Sequence, residues 1–302
     1  MKVLCIGNNA YDITTPVDTF PVENVKYRVH DRIECGGGPA SNAAYLLGLW
    51  GVETYIAGIV GDDVYGKRIR DEFRCVGVNT DYLELNKNHI TTCATIIANT
   101  SNGSRTVLSY KPSSMKMTDV DIDINPDIIL VDGQEYEMSL KVFEKYPNAI
   151  KIIDAGRDRK EIRDLCTKVD YVVCSLEFAE LVSGIKYTKE NLIDIFNELN
   201  NQFDTNIIVT LESNGCAYME DGEVKVVPSI KVKAVDSTGA GDIFHGAFTY
   251  GIANSWPMEK ILKFANVTAA LSVTQIGGRY SIFQLKEVEK VYNEVRWNNI
   301  YW

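Results

Sequence analysis

The sequence predicts an α/β protein: a mostly parallel central sheet flanked by helices, carrying a small β-sheet lid. Three observations predict it. Short apolar runs rich in β-branched residues alternate with segments of helical period, as in parallel sheets covered on both faces. The chain has 302 residues, 45% of them hydrophobic, enough for one large α/β body with a minor appendage. Two regions, 14–34 and 91–111, break that rhythm by alternating apolar and polar residues.

The first strand is read at residues 2–7 and the next at 56–60. Between them 42–49, with Ala43, Ala44, Leu46 and Leu47, forms a helix ending at Gly51, so the chain opens as a βαβ unit. Buried strands follow at 128–131, 150–153, 171–173 and 207–209, separated by helices at 138–146, 159–167, 176–183 and 189–202. A run containing Ile230, Val232 and Val235 reads as one more strand. Within 91–111, Thr92, Ala94, Ile96 and Ala98 face Thr106, Leu108 and Tyr110 around Asn102-Gly103, the chemistry of a hairpin turn. The expected division is therefore a body of 1–13, 35–90 and 112–302, and a lid of 14–34 and 91–111.

Composition excludes several classes of function. A formal net charge of −10 disfavours nucleic acid or an anionic membrane as partner. The 7 cysteines are scattered without a Cys-x-x-Cys, several inside apolar runs, as reduced buried thiols would be. Residues 1–9 form a short strand ending in polar residues, unlike a signal sequence, and no apolar run approaches a membrane span. The expected location is the cytoplasm. No Gly-x-Gly-x-x-Gly follows the first strand and no Gly-x4-Gly-Lys-[Ser/Thr] occurs, which disfavours a dinucleotide oxidoreductase and a P-loop NTPase.

The most informative stretch is 235–246, Val-Asp-Ser-Thr-Gly-Ala-Gly-Asp-Ile-Phe-His-Gly. After it Ile243, Phe244, Ala247, Phe248 and Ile252 fall at helical spacing. Two glycines around Ala240 let successive N–H groups aim at one point, at a helix N-terminus that already favours an anion. Asp242 places a carboxylate beside that anion site. Mere phosphate binding gains nothing from the repulsion, whereas a site that takes a proton from an attacking hydroxyl needs a base there. The residues point to phosphoryl transfer. A second stretch, Gly36-Gly37-Gly38-Pro39-Ala40-Ser41-Asn42, opens a helix and offers a close backbone approach and the Asn42 amide to hydroxyls. Asp12, after the first strand, is placed to accept bonds from vicinal hydroxyls. Gly61-Asp62-Asp63 reads as turn and cap structure.

These residues resemble the two signatures of the ribokinase/PfkB carbohydrate kinase family: Gly-Gly-x-x-x-Asn before an Ala-rich helix, and Asp-Thr-x-Gly-Ala-Gly-Asp, with Ser237 where Thr is usual. The resemblance spans Asp12 to Ser281 and is strongest with ketose kinases such as fructokinase, ketohexokinase and sulfofructose kinase. It implies a ribokinase-like fold and an ATP-dependent kinase acting on a primary hydroxyl of a small sugar, a ketose such as fructose, with ribokinase or nucleoside kinase as alternatives. It implies Asp242 as catalytic base and Gly239, Ala240 and Gly241 as the anion hole. Asp12, Gly37, Gly38, Asn42, Gln134 and Arg105 would meet the sugar; Thr210, Gly215, Thr238 and Asn266 would meet the nucleotide. The run Gly277-Gly278-Arg279 would stand with Asn266 on the adenine wall. Asp236, Ser272, Gly277 and Ser281 would frame a K⁺ site, and ATP would bring Mg²⁺. The lid implies a homodimer. Lys26 and Arg105 are cations available to a substrate anion.

The chain departs from the family in two places. The metal motif Asn-x-x-Glu is replaced by Ser175-Leu176-Glu177-Phe178-Ala179-Glu180, leaving Glu177 as a substitute ligand. In Thr210-Leu211-Glu212-Ser213-Asn214-Gly215, Glu212 replaces a glycine of the family's nucleotide loop. The altered metal motif favours one rival, a sugar-binding regulator without activity; the intact base and anion hole oppose it. His245 reads as a helix-packing or polar-contact residue.

Overall fold

A computed structural model describes residues 1–112 and 115–297. In chain order the strands and helices are β1 (Lys2–Ile6), β2 (Ala10–Val17), β3 (Ile33–Gly37), α1 (Pro39–Leu49), β4 (Glu53–Gly61), α2 (Val64–Cys75) and β5 (Asn79–Asn86). There follow β6 (Thr92–Asn99), β7 (Ser104–Tyr110), β8 (Ile128–Val131), α3 (Tyr136–Lys145), β9 (Ile150–Ala155), α4 (Lys160–Cys166), β10 (Tyr171–Ser175) and α5 (Leu176–Ser183). The chain ends with α6 (Leu192–Gln202), β11 (Asn206–Thr210), β12 (Cys216–Glu220), β13 (Glu223–Val227), α7 (Ala240–Ala253), α8 (Met258–Ser272) and α9 (Leu285–Glu294).

The main sheet has nine strands in the order β13-β12-β11-β10-β9-β8-β1-β4-β5. From β5 to β11 every neighbouring pair is parallel; β12 and β13 add an antiparallel edge. The parallel strands are apolar on both faces because helices cover both. One apolar layer joins α1, α2, α7 and α8 through Leu46, Phe73, Phe248 and Phe264, and the other joins α3 to α6 through Val142, Leu165, Phe178 and Phe196. The crossovers leave one rim free, where the strands' carboxyl ends form a crevice.

The second sheet has the order β3-β2-β6-β7. Its halves are antiparallel pairs, joined by a parallel β2–β6 ladder. It begins earlier than position 14: Asp12 lies in β2 opposite Cys35, and Ala10 opposite Gly37. Asn8, Asn9 and Tyr11 carry too little apolar alternation to show a strand start in sequence. Asp12 and the loop glycines therefore belong to the small sheet, directly over the crevice.

The strand expected at 230–235 does not form. Residues 228–238 have no regular structure, and the Val235 and Asp236 amides both go to the Val273 carbonyl, at 2.8 and 3.3 Å, at the end of α8. No helix among the described residues is long and apolar enough to cross a membrane.

Candidate active site

Asp242 sits in the first turn of α7, whose N-cap Gly239 is in the left-handed region at φ 75°. Its carboxylate caps none of its own helix. The Asn42 side-chain amide, from the buried first turns of α1, donates to it at 2.8 Å. The Asn42 carbonyl oxygen is buried with no partner. At the helix start the amides of Gly241 and Asp242 have no carbonyl one turn back to receive them. A Cβ at Gly241 would meet no atom within 4 Å, so there is open space in front of those donors. The Asp242 carboxylate, the free amides and open space at Gly241 therefore lie together at the start of α7.

Asp12 faces the same crevice from the small sheet. It is 7% exposed, and Gly37 makes room for it: a Cβ there would lie 2.1 Å from Asp12 Oδ2. Burial raises the Asp12 carboxyl to about 7, with the Asp242 charge adding to the rise and Arg279 opposing it. Gly38, at φ 102°, leaves room for the Asn8 carbonyl, 2.2 Å from where its Cβ would be. The glycines of this loop make room for the Arg279 and Asp12 side chains and for the Asn8 carbonyl.

Arg279 is the largest side chain at this end with almost no exposure, 1%. Its guanidinium donates to Glu72 at 2.7 Å and to Ser41 at 2.5 Å, and lies 5.0 and 4.7 Å from the centres of the Tyr45 and Phe73 rings. Glu72 also accepts the Gly36 amide at 2.9 Å. The adenine-wall role expected for Arg279 gives way to another. Arg279 braces the sugar loop from behind, and Gly36 makes the space it needs: a Cβ there would lie 2.0 Å from its Nη1.

Asp236 closes the loop before the anion site. One oxygen accepts the Thr238 amide at 2.9 Å and its hydroxyl at 2.6 Å; the other accepts the Gly277 amide at 2.8 Å. Ser272 and Ser281 donate their hydroxyls to nearby carbonyls, both at 2.8 Å. The segments assigned to a monovalent cation do converge, although the Asp236 carboxylate is already committed to these donors.

Other sequence-derived residues play different parts. Arg105, from β7, donates to the Ser237 hydroxyl at 2.8 Å, and the Ser237 amide donates to the Gly103 carbonyl at 3.1 Å, so the lid hairpin docks on the loop that leads to the anion site. Gln134 accepts from Lys111 at 2.7 Å at the crevice edge. The acidic groups beside it serve the backbone. Asp132 accepts the Asn8, Gln134 and Ala40 amides at 2.8, 3.0 and 3.2 Å, and Glu135 accepts that of Met117 at 3.0 Å. Burial raises Asp132 and these amides pull it back. Asp63 caps α2 through the Gly66 amide at 2.9 Å, as its turn reading predicted.

On the nucleotide side, Thr210 ends β11 and bonds the Cys174 carbonyl at 3.2 Å. Gly215, at φ 104°, has no room for a Cβ, which would lie 2.1 Å from the Val227 carbonyl. Glu212 holds a left-handed backbone at φ 53°, the conformation a glycine would supply without strain. Asn266 does not face a base as expected. It is 3% exposed and donates to the Val227 carbonyl at 2.9 Å, tying α8 to the end of β13. In the altered metal motif Ser175 caps α5 through the Phe178 amide at 3.1 Å, Phe178 is in the core, and Glu180 pairs with Lys186 at 2.5 Å. Glu177 is left exposed in the first turn of α5. Among the described residues no group of three or more His, Cys, Asp or Glu side chains forms a ready metal site.

The description "pfkB family carbohydrate kinase" matches residues 1–284. The ribokinase of Staphylococcus aureus is 25% identical over 303 residues, 96% of this chain and 99% of its own. The deoxyribokinase of Salmonella typhimurium is 26% identical over 293 residues, 93% and 95% of the two chains. Arabidopsis thaliana ribokinase, solved with ribose and ATP, gives a TM-score of 0.81 at 24% identity, covering 96% of this chain and 98% of its own. The glycine-flanked Asp242 at the start of α7, the glycine-rich loop before α1 and the match over nearly the whole chain lead to one conclusion: this protein belongs to the pfkB family of carbohydrate kinases.

Proposed function

We propose that the enzyme transfers the γ-phosphoryl group of ATP to a primary hydroxyl of a pentose of the ribose or deoxyribose type. The relatives above are ribokinases and a deoxyribokinase, which moves the reading away from the ketose that the motifs alone suggested. The observation that carries it is the Asn42–Asp242 contact, with Asp12 buried near enough to feel the Asp242 charge and the Asn42 oxygen left without a partner. Asp12 and Asn42 accept and orient sugar hydroxyls. Asp242 takes the proton of the attacking hydroxyl as its oxygen bonds to the γ-phosphorus and the bond to the β-phosphate oxygen breaks, releasing ADP. The free amides at the start of α7 receive the charge on the transferring group. Catalysis is mostly positioning and electrostatics.

Mg²⁺ would arrive with ATP and offset phosphate charge, keeping most of its waters; Glu177 is the carboxylate available to those waters. K⁺ would occupy the junction of the 235–238, 272–273 and 277–281 segments. The homodimer reading rests on the lid. All of β7 is exposed, and Leu108 and Tyr110 stand out at 62% and 61% exposure on an edge strand, the kind of surface a second lid would cover. ADP release over a panel of ribose, 2-deoxyribose, fructose, sulfofructose and nucleosides, with and without K⁺, tests the substrate and the ion. Sedimentation of the protein and of Leu108→Glu tests the dimer. Highest kcat/KM on fructose would return the ketose reading; sugar binding without ADP release would favour a regulator.

A further inference from the structure

We propose that His245 is a resident imidazolium, a charged peg that ties the first turn of α7 to the ends of β9 and β10 and aims the anion site. His245 is 4% exposed. Its Nδ1 lies 2.6 Å from the Gly241 carbonyl oxygen and its Nε2 lies 3.0 Å from that of Val173. Carbonyl oxygens only accept. A neutral imidazole has one N–H and one lone pair, so one of these buried carbonyls would face a lone pair. With both nitrogens protonated, each ring nitrogen points an N–H at an acceptor and no lone pair faces a carbonyl oxygen. A carboxyl stands beside it to answer that charge: Asp154 Oδ2, near the end of β9, lies 3.3 Å from Nδ1, and Asp154 is 8% exposed.

The groups facing this pair come from three elements. Asp154 comes from β9 and Asp242 from α7 itself, while Asp132, beyond β8, adds its charge to theirs. Burial raises Asp154, the imidazolium opposes the rise, and the neighbouring carboxylates add to it. A buried cation offsets this concentration of carboxylates, and an uncharged side chain would not.

The consequence for transfer follows from peptide geometry. The Gly241 carbonyl and the Asp242 N–H belong to one planar peptide and point in opposite directions. Gripping the oxygen from behind therefore fixes the direction of the N–H in front, and polarises it as a donor. That N–H is one of the two free amides over the open space at Gly241. His245 touches neither sugar nor ATP in this arrangement; it is a positioning residue acting through the Gly241–Asp242 peptide. Its protonation state is independent of the substrate reading, whereas its effect on rate rests on the proposed transfer.

The direct test is nitrogen-15 NMR of histidine-labelled protein, free of sugar and nucleotide. The chain has 3 histidines, and removing His30 and His89 by substitution with Gln assigns His245 without altering it. Both ring nitrogens of His245 should carry protons, with imidazolium shifts, at pH 7. A neutral single-tautomer pattern at pH 7 overturns the proposal, whichever sugar proves to be the substrate. Kinetics supply the second arm. His245→Asn and Asp154→Asn should each lower kcat about tenfold or more while leaving the sugar KM within about threefold, and the double variant should be no worse than the poorer single one. Additive losses, or losses in KM alone, would contradict the peg.

Discussion

The Asn42 side-chain amide donates a 2.8 Å hydrogen bond to the Asp242 carboxylate, joining two motifs 200 positions apart. On the proposed mechanism the bond holds the base against the 36–42 loop, and the Asn42 carbonyl oxygen, unpartnered here, is offered to the sugar. Asn42→Ala removes both functions. It should lower kcat/KM for the sugar by about 100-fold, roughly the worth of two hydrogen bonds with one charged partner. Steady-state kinetics on the preferred sugar check this, with ATP KM as the control expected to stay nearly constant.

Gly241 separates function from stability. Its Cβ position is open, and its backbone lies outside the positive-φ region, so alanine fits the helix without a clash. Alanine should stabilise the first turn by about 0.5–1 kcal/mol, since it costs less backbone entropy than glycine. On the proposed mechanism the same methyl would enter the space of the transferring phosphoryl group. Gly241→Ala should therefore melt at or above the wild-type temperature and lose most of its kcat, a pairing read by calorimetry beside the kinase assay.

Gly36 works in the opposite sense. A methyl there would meet the buried Arg279 guanidinium at 2.0 Å, and that guanidinium is held by Glu72, Ser41 and two rings. Gly36→Ala should cost about 1–3 kcal/mol by overpacking and raise the sugar KM, because Arg279 braces the loop that contains Ser41 and Asn42. Arg279→Ala combined with Gly36→Ala should show strong non-additivity in urea melts.

Asp12 makes the enzyme pH-dependent in two directions. Its carboxyl titrates at about 7 in the fold against 3.8 in a free chain, through burial and the nearby Asp242 charge. Sugar binding uses the ionised form, so kcat/KM for the sugar should fall as pH drops below about 7. Stability runs the other way. Between about 4 and about 7 the folded state binds the proton that the unfolded chain has released, so stability falls as pH rises through that window. Each pH unit across the window is worth roughly 1.4 kcal/mol, so ionised Asp12 weighs against the fold by a few kcal/mol. Asp12→Asn should melt higher than wild type at pH 8 and show no acid limb in whatever sugar activity remains.

Local pattern made some features legible and not others. The alternation of β1, α1 and β4, the docked α7 helix and the Asn102-Gly103 hairpin turn all reside in short windows with a clear period. The juxtaposed motifs holding Asn42 and Asp242 were readable for the same reason. The anion hole expected from Gly239, Ala240 and Gly241 was not: the Ala240 amide goes to the Ser237 carbonyl at 3.4 Å, and the free amides are those of Gly241 and Asp242. Ile230 and Val232 look like strand residues, but strand formation needs a free ladder edge, and the backbone beyond them is committed to the Val273 carbonyl. Arg279, Glu72 and Asp154 gain their parts from partners 36 to 238 positions away, which no window of sequence displays. Asn266 shows the converse: its family position was legible, yet its amide is spent on the Val227 carbonyl.

Proton transfer from a sugar hydroxyl to Asp242, as ATP gives up its γ-phosphoryl group, is the step on which the roles of the other residues depend. The most direct measurement is ADP release by the wild type and Asp242→Asn on ribose and 2-deoxyribose with Mg²⁺, beside the rise in melting temperature each sugar induces. Wild-type turnover on one of these sugars is expected, with a loss of about 10³-fold or more in the variant and a preserved sugar-induced thermal shift. A variant within tenfold of wild-type kcat, roughly 1.4 kcal/mol of barrier, would contradict Asp242 as the base.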